Sequence, residues 1–210
     1  MVASSFFSEA DRKAVSEAIA AAERATAGEI VPVVSTRSGD YDRAEDLAGL
    51  GAAMLAVWGA TTLQHGAPVS FVAPVAAFVG FWIGVFVAQF CPTVIRFLAS
   101  RRMQEEVSRA AAEAFESFHV RGTRARTGVV LYVSLFERGV CVLGDEAIGQ
   151  KIQASDWDEI ARLVVEGLRA DKPTEGLTRA ISRAGELLAR HFPVQPGDVN
   201  ELTNELRLID

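Results

Sequence analysis

From residue 47 to residue 95 the chain runs 49 residues without an Asp, Glu, Lys or Arg, although such residues make up 23% of its 210 positions. The gap divides into two apolar segments, 47–63 (LAGLGAAMLAVWGATTL) and 69–90 (VSFVAPVAAFVGFWIGVFVAQF), joined by Gln64-His65-Gly66-Ala67-Pro68. As helices these would be about 26 Å and about 33 Å long, against a hydrocarbon thickness of roughly 30 Å. Backbone polar groups in lipid must be satisfied internally, so two helices joined by a turn outside the hydrocarbon satisfy the constraint. The pattern predicts a transmembrane helical hairpin over residues 47–91. The competing reading, a hairpin buried in a soluble helical domain, fits segment 69–90 poorly, because that segment has no polar face at any helical spacing. A signal peptide would be N-terminal with a basic lead-in. Residues 1–30 are instead amphipathic and charged.

Arginines close to the spans set the expected orientation. Arg37 and Arg43 precede the hairpin, Arg96, Arg101 and Arg102 follow it, and the turn carries neither Lys nor Arg. Both flanks, and so both termini, are expected in the cytoplasm, with His65 near the opposite face. Ala73, Ala77, Gly80, Gly84 and Ala88 share one helical face of the second segment. Gly49, Ala52, Ala56 and Gly59 do the same in the first. Small residues let helices approach closely where lipid gives no hydrophobic drive to associate. These faces suit either each other or a second copy of the chain. No ionisable side chain lies within either span, so the hairpin reads as an anchor rather than an ion or proton path.

The flanking parts read as one α/β domain interrupted by the hairpin, with residues 1–46 as its first part, 92–193 as its second and 194–210 as an irregular tail. Residues 1–46 hold nine acids and five bases, and the net charge of the chain is -6. With no basic stripe, nucleic acid is not an expected partner. Cys91 and Cys141 form no close-spaced pair and are expected reduced. Ser8-Glu9-Ala10-Asp11 has the form of a capping box opening a helix that ends near Gly28. Residues 29–35 (EIVPVVS) read as a strand, which Pro32 pushes toward a sheet edge or a bulge. Residues 36–46 read as a polar linker. An amphipathic helix follows over 103–118. The near-continuous apolar run 128–135 (GVVLYVSL) suits a strand covered on both faces, and a tight turn at Glu137-Arg138-Gly139 returns antiparallel through 140–143. A short helix near 147–153, a longer one capped by Ser155 or Asp156, and a last one opening at Pro173 complete the reading.

Thr26-Ala27-Gly28-Glu29, Thr127-Gly128-Val129-Val130, Leu143-Gly144-Asp145 and Asp198-Val199-Asn200-Glu201-Leu202, in this order of elements, resemble the TPM domain family. That family takes its name from a thylakoid lumen protein, a photosystem II repair factor and a nematode receptor auxiliary subunit. The likeness is greatest to bacterial membrane versions with a helical hairpin inserted after the first strand. Thr127 stands where an Asn is expected, and Thr203 where a Pro often follows Asn-Glu-Leu. The resemblance implies a mixed β-sheet flanked by helices and a multi-pass protein of the bacterial cytoplasmic (inner) membrane. It also implies a possible acid phosphatase activity or Ca²⁺ binding, which are reported for some soluble members.

A Ca²⁺ site needs six or more oxygens from several places. Acids occur at Asp40/Asp42, Asp145/Glu146 and Asp156/Asp158/Glu159. Asp145, just past a strand end, is the best single metal-ligand candidate; its alternative role is to cap the following helix. Asp156 and Asp158 suit a helix N-terminus, and Asp40 and Asp42 a solvated linker. Gly144-Asp145-Glu146-Ala147-Ile148-Gly149-Gln150-Lys151 resembles a P-loop, but Gln150 stands where Lys should follow the second Gly. GxSxG and HExxH do not occur, nor does GxGxxG after a strand, and His65, His119 and His191 are scattered. The expected function is a membrane-anchored, non-catalytic interaction or assembly module with no cofactor predicted. Its partners would be the bilayer and other proteins, or itself through the small-residue faces. The alternative is a metal-dependent, Ca²⁺-binding phosphatase-like hydrolase.

Overall fold

A computed structural model of the chain describes residues 2–63 and 69–210. The turn expected at 64–68, with His65, lies outside the described residues. In chain order the first elements are α1 (Ala3–Phe6), α2 (Glu9–Glu23), β1 (Glu29–Ser35), α3 (Asp42–Leu63), α4 (Val69–Phe90) and α5 (Pro92–Leu98). Then come α6 (Ser100–Ser117), β2 (Gly128–Ser134), β3 (Gly139–Gly144), α7 (Glu146–Gly149), α8 (Ala154–Arg169), α9 (Pro173–His191) and β4 (Arg207–Ile209). They form two compact units, one of Met1–Ser38 with Glu105–Asp210, the other of Gly39–Gln104.

The first unit is a mixed four-stranded sheet in the order β3-β2-β1-β4, with helices on both faces. β1 runs parallel to both β2 and β4, and β2 is antiparallel to β3. Alternate residues of the central strands point to opposite faces, so a strand covered on both sides must be apolar throughout. Ile30, Val34, Val129, Leu131 and Val133 pack with Ile19 of α2, Ile160 and Val164 of α8, and Ile181 and Leu188 of α9. On the other face, Val31, Val33, Val130 and Tyr132 pack with Val107, Ala111 and Phe115 of α6. Every residue of β1 and β2 is buried.

Pro32 sits where β1 is locally a sheet edge, and no bulge is needed. The N–H of Glu29 points toward β2, donating to the Thr127 carbonyl at 3.2 Å, and that of Ile30 points the other way, to the Glu23 carboxylate at 2.9 Å. By alternation Pro32 faces the Ile30 side, where β4 begins pairing only at Val33. The missing donor falls in that gap. The tail is likewise not irregular throughout. Its last residues form β4, held by the bond from the Thr36 N–H to the Ile209 carbonyl at 2.8 Å and by the Ser16 hydroxyl donating to the Asn204 carbonyl at 2.6 Å. The Ser8–Asp11 capping box is present, with each residue's side chain accepting from the other's backbone N–H. α8 is entered from Gln153, whose N–H donates to the Asp156 carboxylate at 3.1 Å, so neither Ser155 nor Asp156 is its N-cap.

In the second unit α3 begins at Asp42, inside the stretch read as linker. α3 and α4 pack antiparallel through their small residues. A Cβ on Gly84 would lie 2.5 Å from the Ala48 carbonyl oxygen and 2.7 Å from the Ala52 Cβ; one on Gly80 would lie 2.7 Å from the Ala56 Cβ. The two small-residue faces thus meet in part, through Gly49, Ala52 and Ala56 with Gly80 and Gly84. A Cβ on Gly59 would meet nothing and Phe81 packs on Gly49, while Met54, Leu55, Trp58, Phe71, Phe78, Trp82, Phe86 and Phe90 point outward. Among the described residues one helix, Phe71–Phe90, is long and apolar enough to cross a membrane.

Candidate functional site

The end of β3 places Asp145 at the head of α7. The Asp145 N–H donates to the Gly128 carbonyl at 2.9 Å, and its own carbonyl accepts from Ile148 and Gly149, both at 3.0 Å. The side chain caps α7, with Oδ1 accepting from the Glu146 N–H at 2.7 Å. Oδ2 is buried without a hydrogen bond, on a residue only 5% exposed. A buried carboxylate oxygen left unpaired is costly. It lines an open cleft of about 510 Å³ with Phe115, Glu116, Arg121, Arg126 and Glu146. Two ion pairs cross the rim, Arg126–Glu146 at 3.6 Å and Arg121–Glu116 at 3.2 Å. The cleft is thus rimmed by two guanidinium groups already facing carboxylates, and the unpaired Oδ2 is itself shielded from solvent.

The other acids of the sequence do not join Asp145. Asp156 is engaged by Gln153, and Glu159 pairs with Arg183 at 2.9 Å, which holds its carboxyl below the usual range. Asp158 is exposed, while Asp40 and Asp42 belong to the other unit. His119 closes α6 in the left-handed region at φ 57°, and His191 is the last residue of α9. Among the described residues no group of three His, Cys, Asp or Glu side chains is placed to hold a metal ion.

Sequence reasoning passed over a second cluster. The Glu29 carboxylate accepts the backbone N–H groups of Glu201 at 2.9 Å and Leu202 at 3.4 Å. Glu201 in turn accepts from the Arg124 N–H at 3.0 Å. Glu23 lies beside Glu29 with one oxygen buried and unpaired, and Asp198 and Asn204 line the same cleft. Burial, assisted by the Glu29 charge, pushes the Glu23 carboxyl up to about 7. Burial also raises Glu29. The signal lay in the quoted strings themselves: Glu29 ends Thr26-Ala27-Gly28-Glu29, and its two donors sit in the Asn200-Glu201-Leu202 motif. The remaining strings meet at the same sheet end. The Thr127 hydroxyl donates to the Ala27 carbonyl at 2.7 Å, and Gly128 bonds Asp145.

The family model described as the TPM domain matches residues 91–187. Over those residues the chain matches the TPM domain family. The matched segment includes β2, β3, α7 and α8, and therefore Asp145. β1 and β4, which complete the same sheet, lie outside the matched residues. An NMR structure of the BA42 protein from the psychrophilic bacterium Bizionia argentinensis shares the fold at a TM-score of 0.59 and 18% identity, covering 96% of this chain and 94% of that one. No curated protein matches the chain.

Proposed function

We propose that this protein is a membrane-anchored TPM domain that acts by binding a protein partner, with α3 and α4 as a transmembrane hairpin and both termini in the cytoplasm. The observation that carries the anchor is the sidedness of the hairpin. Small residues such as Gly80, Gly84, Ala52 and Ala56 sit between the helices, and Met54, Leu55, Trp58, Phe71, Phe78, Trp82, Phe86 and Phe90 face outward. In water that arrangement leaves an apolar surface far beyond what monomers expose; in lipid it costs nothing. Arg37 and Arg43 before the hairpin, and Arg96, Arg101 and Arg102 after it, support cytoplasmic flanks. A reporter active only outside the cytoplasm tests this, fused after Asp210 or inserted at His65. Activity at His65 and silence at Asp210 is expected; the reverse overturns the topology.

Binding rather than turnover is supported by the structural employment of the acids. Asp145 caps α7, Glu116 and Glu146 face arginines, and Glu29 holds the C-terminal segment. The second reading, a metal-dependent phosphatase with Asp145 as a ligand, is favoured by the unpaired Oδ2. Fold alone does not decide between them. Purified full-length protein in detergent, assayed on a generic phosphomonoester with and without Ca²⁺ or Mg²⁺ beside Asp145→Asn, separates the two. No turnover is expected; metal-dependent turnover lost in a folded Asp145→Asn variant would replace the binding reading.

A further inference from the structure

α5 is the one element of the hairpin unit whose exposed apolar residues lie beyond both spans. Its depth can be read from the helices beside it. The Gln89 side-chain amide donates to the Glu45 carboxylate at 3.4 Å, so the last turn of α4 stands level with the charged first turns of α3. Charged side chains avoid the hydrocarbon core, so this pair marks where the apolar layer ends. The chain breaks at Cys91, whose backbone leaves helical geometry, and restarts with Pro92 at the first position of α5. α5 then packs on α3, with Ile95 and Ala99 buried. On its outer side Phe97 is 83% exposed and Leu98 42%. Arg96 and Arg101 lie within one turn of them.

We infer that α5 is an interfacial helix, which places Phe97 and Leu98 at the boundary between headgroups and acyl chains, beyond the C-terminal end of α4. The inference rests on the membrane anchoring proposed above. Three observations select the bilayer surface as the occupant. The exposed pair continues directly from the outward apolar surface of α4. The Glu45–Gln89 pair puts α5 just outside the hydrocarbon. The exposed Arg101 suits lipid phosphates, as expected for a short amphipathic element lying about 5–10 Å deep.

The test uses full-length protein in phosphatidylcholine vesicles whose lipids are brominated either near the headgroup or near the chain end. One variant, Trp58→Phe/Trp157→Phe, leaves Trp82 as the reporter of α4. A second replaces all three native tryptophans with Phe and adds Phe97→Trp. Trp82 should be quenched most by deep bromines, and the residue at 97 about twice as strongly by shallow bromines as by deep ones. Trp82 quenched with 97 unquenched overturns the inference and leaves the anchor standing; that result is also expected if the surface awaits a protein. Stronger quenching of 97 by deep bromines overturns it too, because α5 would then be part of the span. No quenching at either position defeats the anchor and the inference together. If loss of Trp157 prevents folding, an environment-sensitive fluorophore on Phe97→Cys in a Cys91→Ser/Cys141→Ser background reads the same depths.

Discussion

The two units of this chain use opposite packing rules. In the sheet domain the large apolar side chains point inward, and Leu188, Ile181, Ile160 and Leu131 are sealed in the core. In the hairpin Gly80, Gly84, Ala52 and Ala56 sit at the contact between the helices and most of the large apolar side chains point outward, Phe81 against Gly49 being an exception. On the anchoring proposed above, the cause is what each surface faces. Water rewards burial in proportion to apolar area, so bulk goes inside. Lipid tails are as apolar as leucine and reward only close contact between helices, so smoothness goes inside. Similar helical geometry, with the same residue alphabet, thus gives two inverted cross-sections.

The largest effect that separates the two rules is deletion of a large side chain from each. Leu188→Ala should destabilise the sheet domain by about 3 kcal/mol, combining lost transfer energy with a residual cavity. Phe78→Ala, on the outer face of α4, should shift unfolding in detergent by less than about 0.5 kcal/mol. Denaturant unfolding followed by Trp157 fluorescence reports the first, and an SDS titration of helicity the second. Equal costs at the two positions would break the comparison, because Phe78 would then be packed against protein.

The reverse change, from small to large, should hurt the hairpin. Gly84→Leu places carbons where the Ala48 carbonyl and Ala52 already stand and should cost about 2 kcal/mol by forcing α3 and α4 apart. The SDS midpoint for helix loss should fall, while the unfolding midpoint of the sheet domain stays where it is. A hairpin unchanged by Gly84→Leu would mean that the close approach is not what holds the two helices.

The hairpin was readable because its signals are local: an uncharged run long enough to span and small residues at helical spacing. Local signals also gave β2 from an unbroken apolar run, α2 from its Ser8–Asp11 box and α9 from Pro173. What escaped was set by partners far away in the chain. β4 is three residues long and exists only because β1 offers an edge to Arg207–Ile209. Pro32 reads as an edge residue and is one, but only because β4 starts one residue later, at Val33. For Asp145 the two readings made from sequence coincide in part: it does cap α7, and its second oxygen is still unpaired. Glu29 reads as the polar start of a strand, because its donors at 201 and 202 lie 172 residues or more away.

The smallest expected effect is the one that only the sheet domain can show, because titratable groups lie outside the apolar spans. Burial raises the Glu23 carboxyl from 4.5 to about 7, so the folded state favours its protonated form. Below about 4.5 both folded and unfolded chains hold that proton, and the contribution to stability is fully present. Between 4.5 and 7 the unfolded chain loses the proton first, so stability declines as pH rises and the loss is complete above 7. Allowing for the water that reaches a partly enclosed carboxylate, the decline should be about 1–2 kcal/mol. Glu29 is raised by burial and acts in the same direction, whereas Arg24 and Asn204 border the same cleft without gaining a negative charge. Asp11 and Asp210 are held low by hydrogen bonds from Ser8 and Ser4, so their contributions disappear only at more acid pH. Glu23→Gln keeps the shape and removes the charge. Its unfolding free energy, measured from pH 5 to pH 8, should decline less steeply than that of the wild type, and it should match or exceed the wild type at pH 8. Parallel profiles for the two proteins would show that ionising Glu23 does not strain the contact between the sheet and the C-terminal segment. The inward burial of that acid would then carry no more cost than an exposed one.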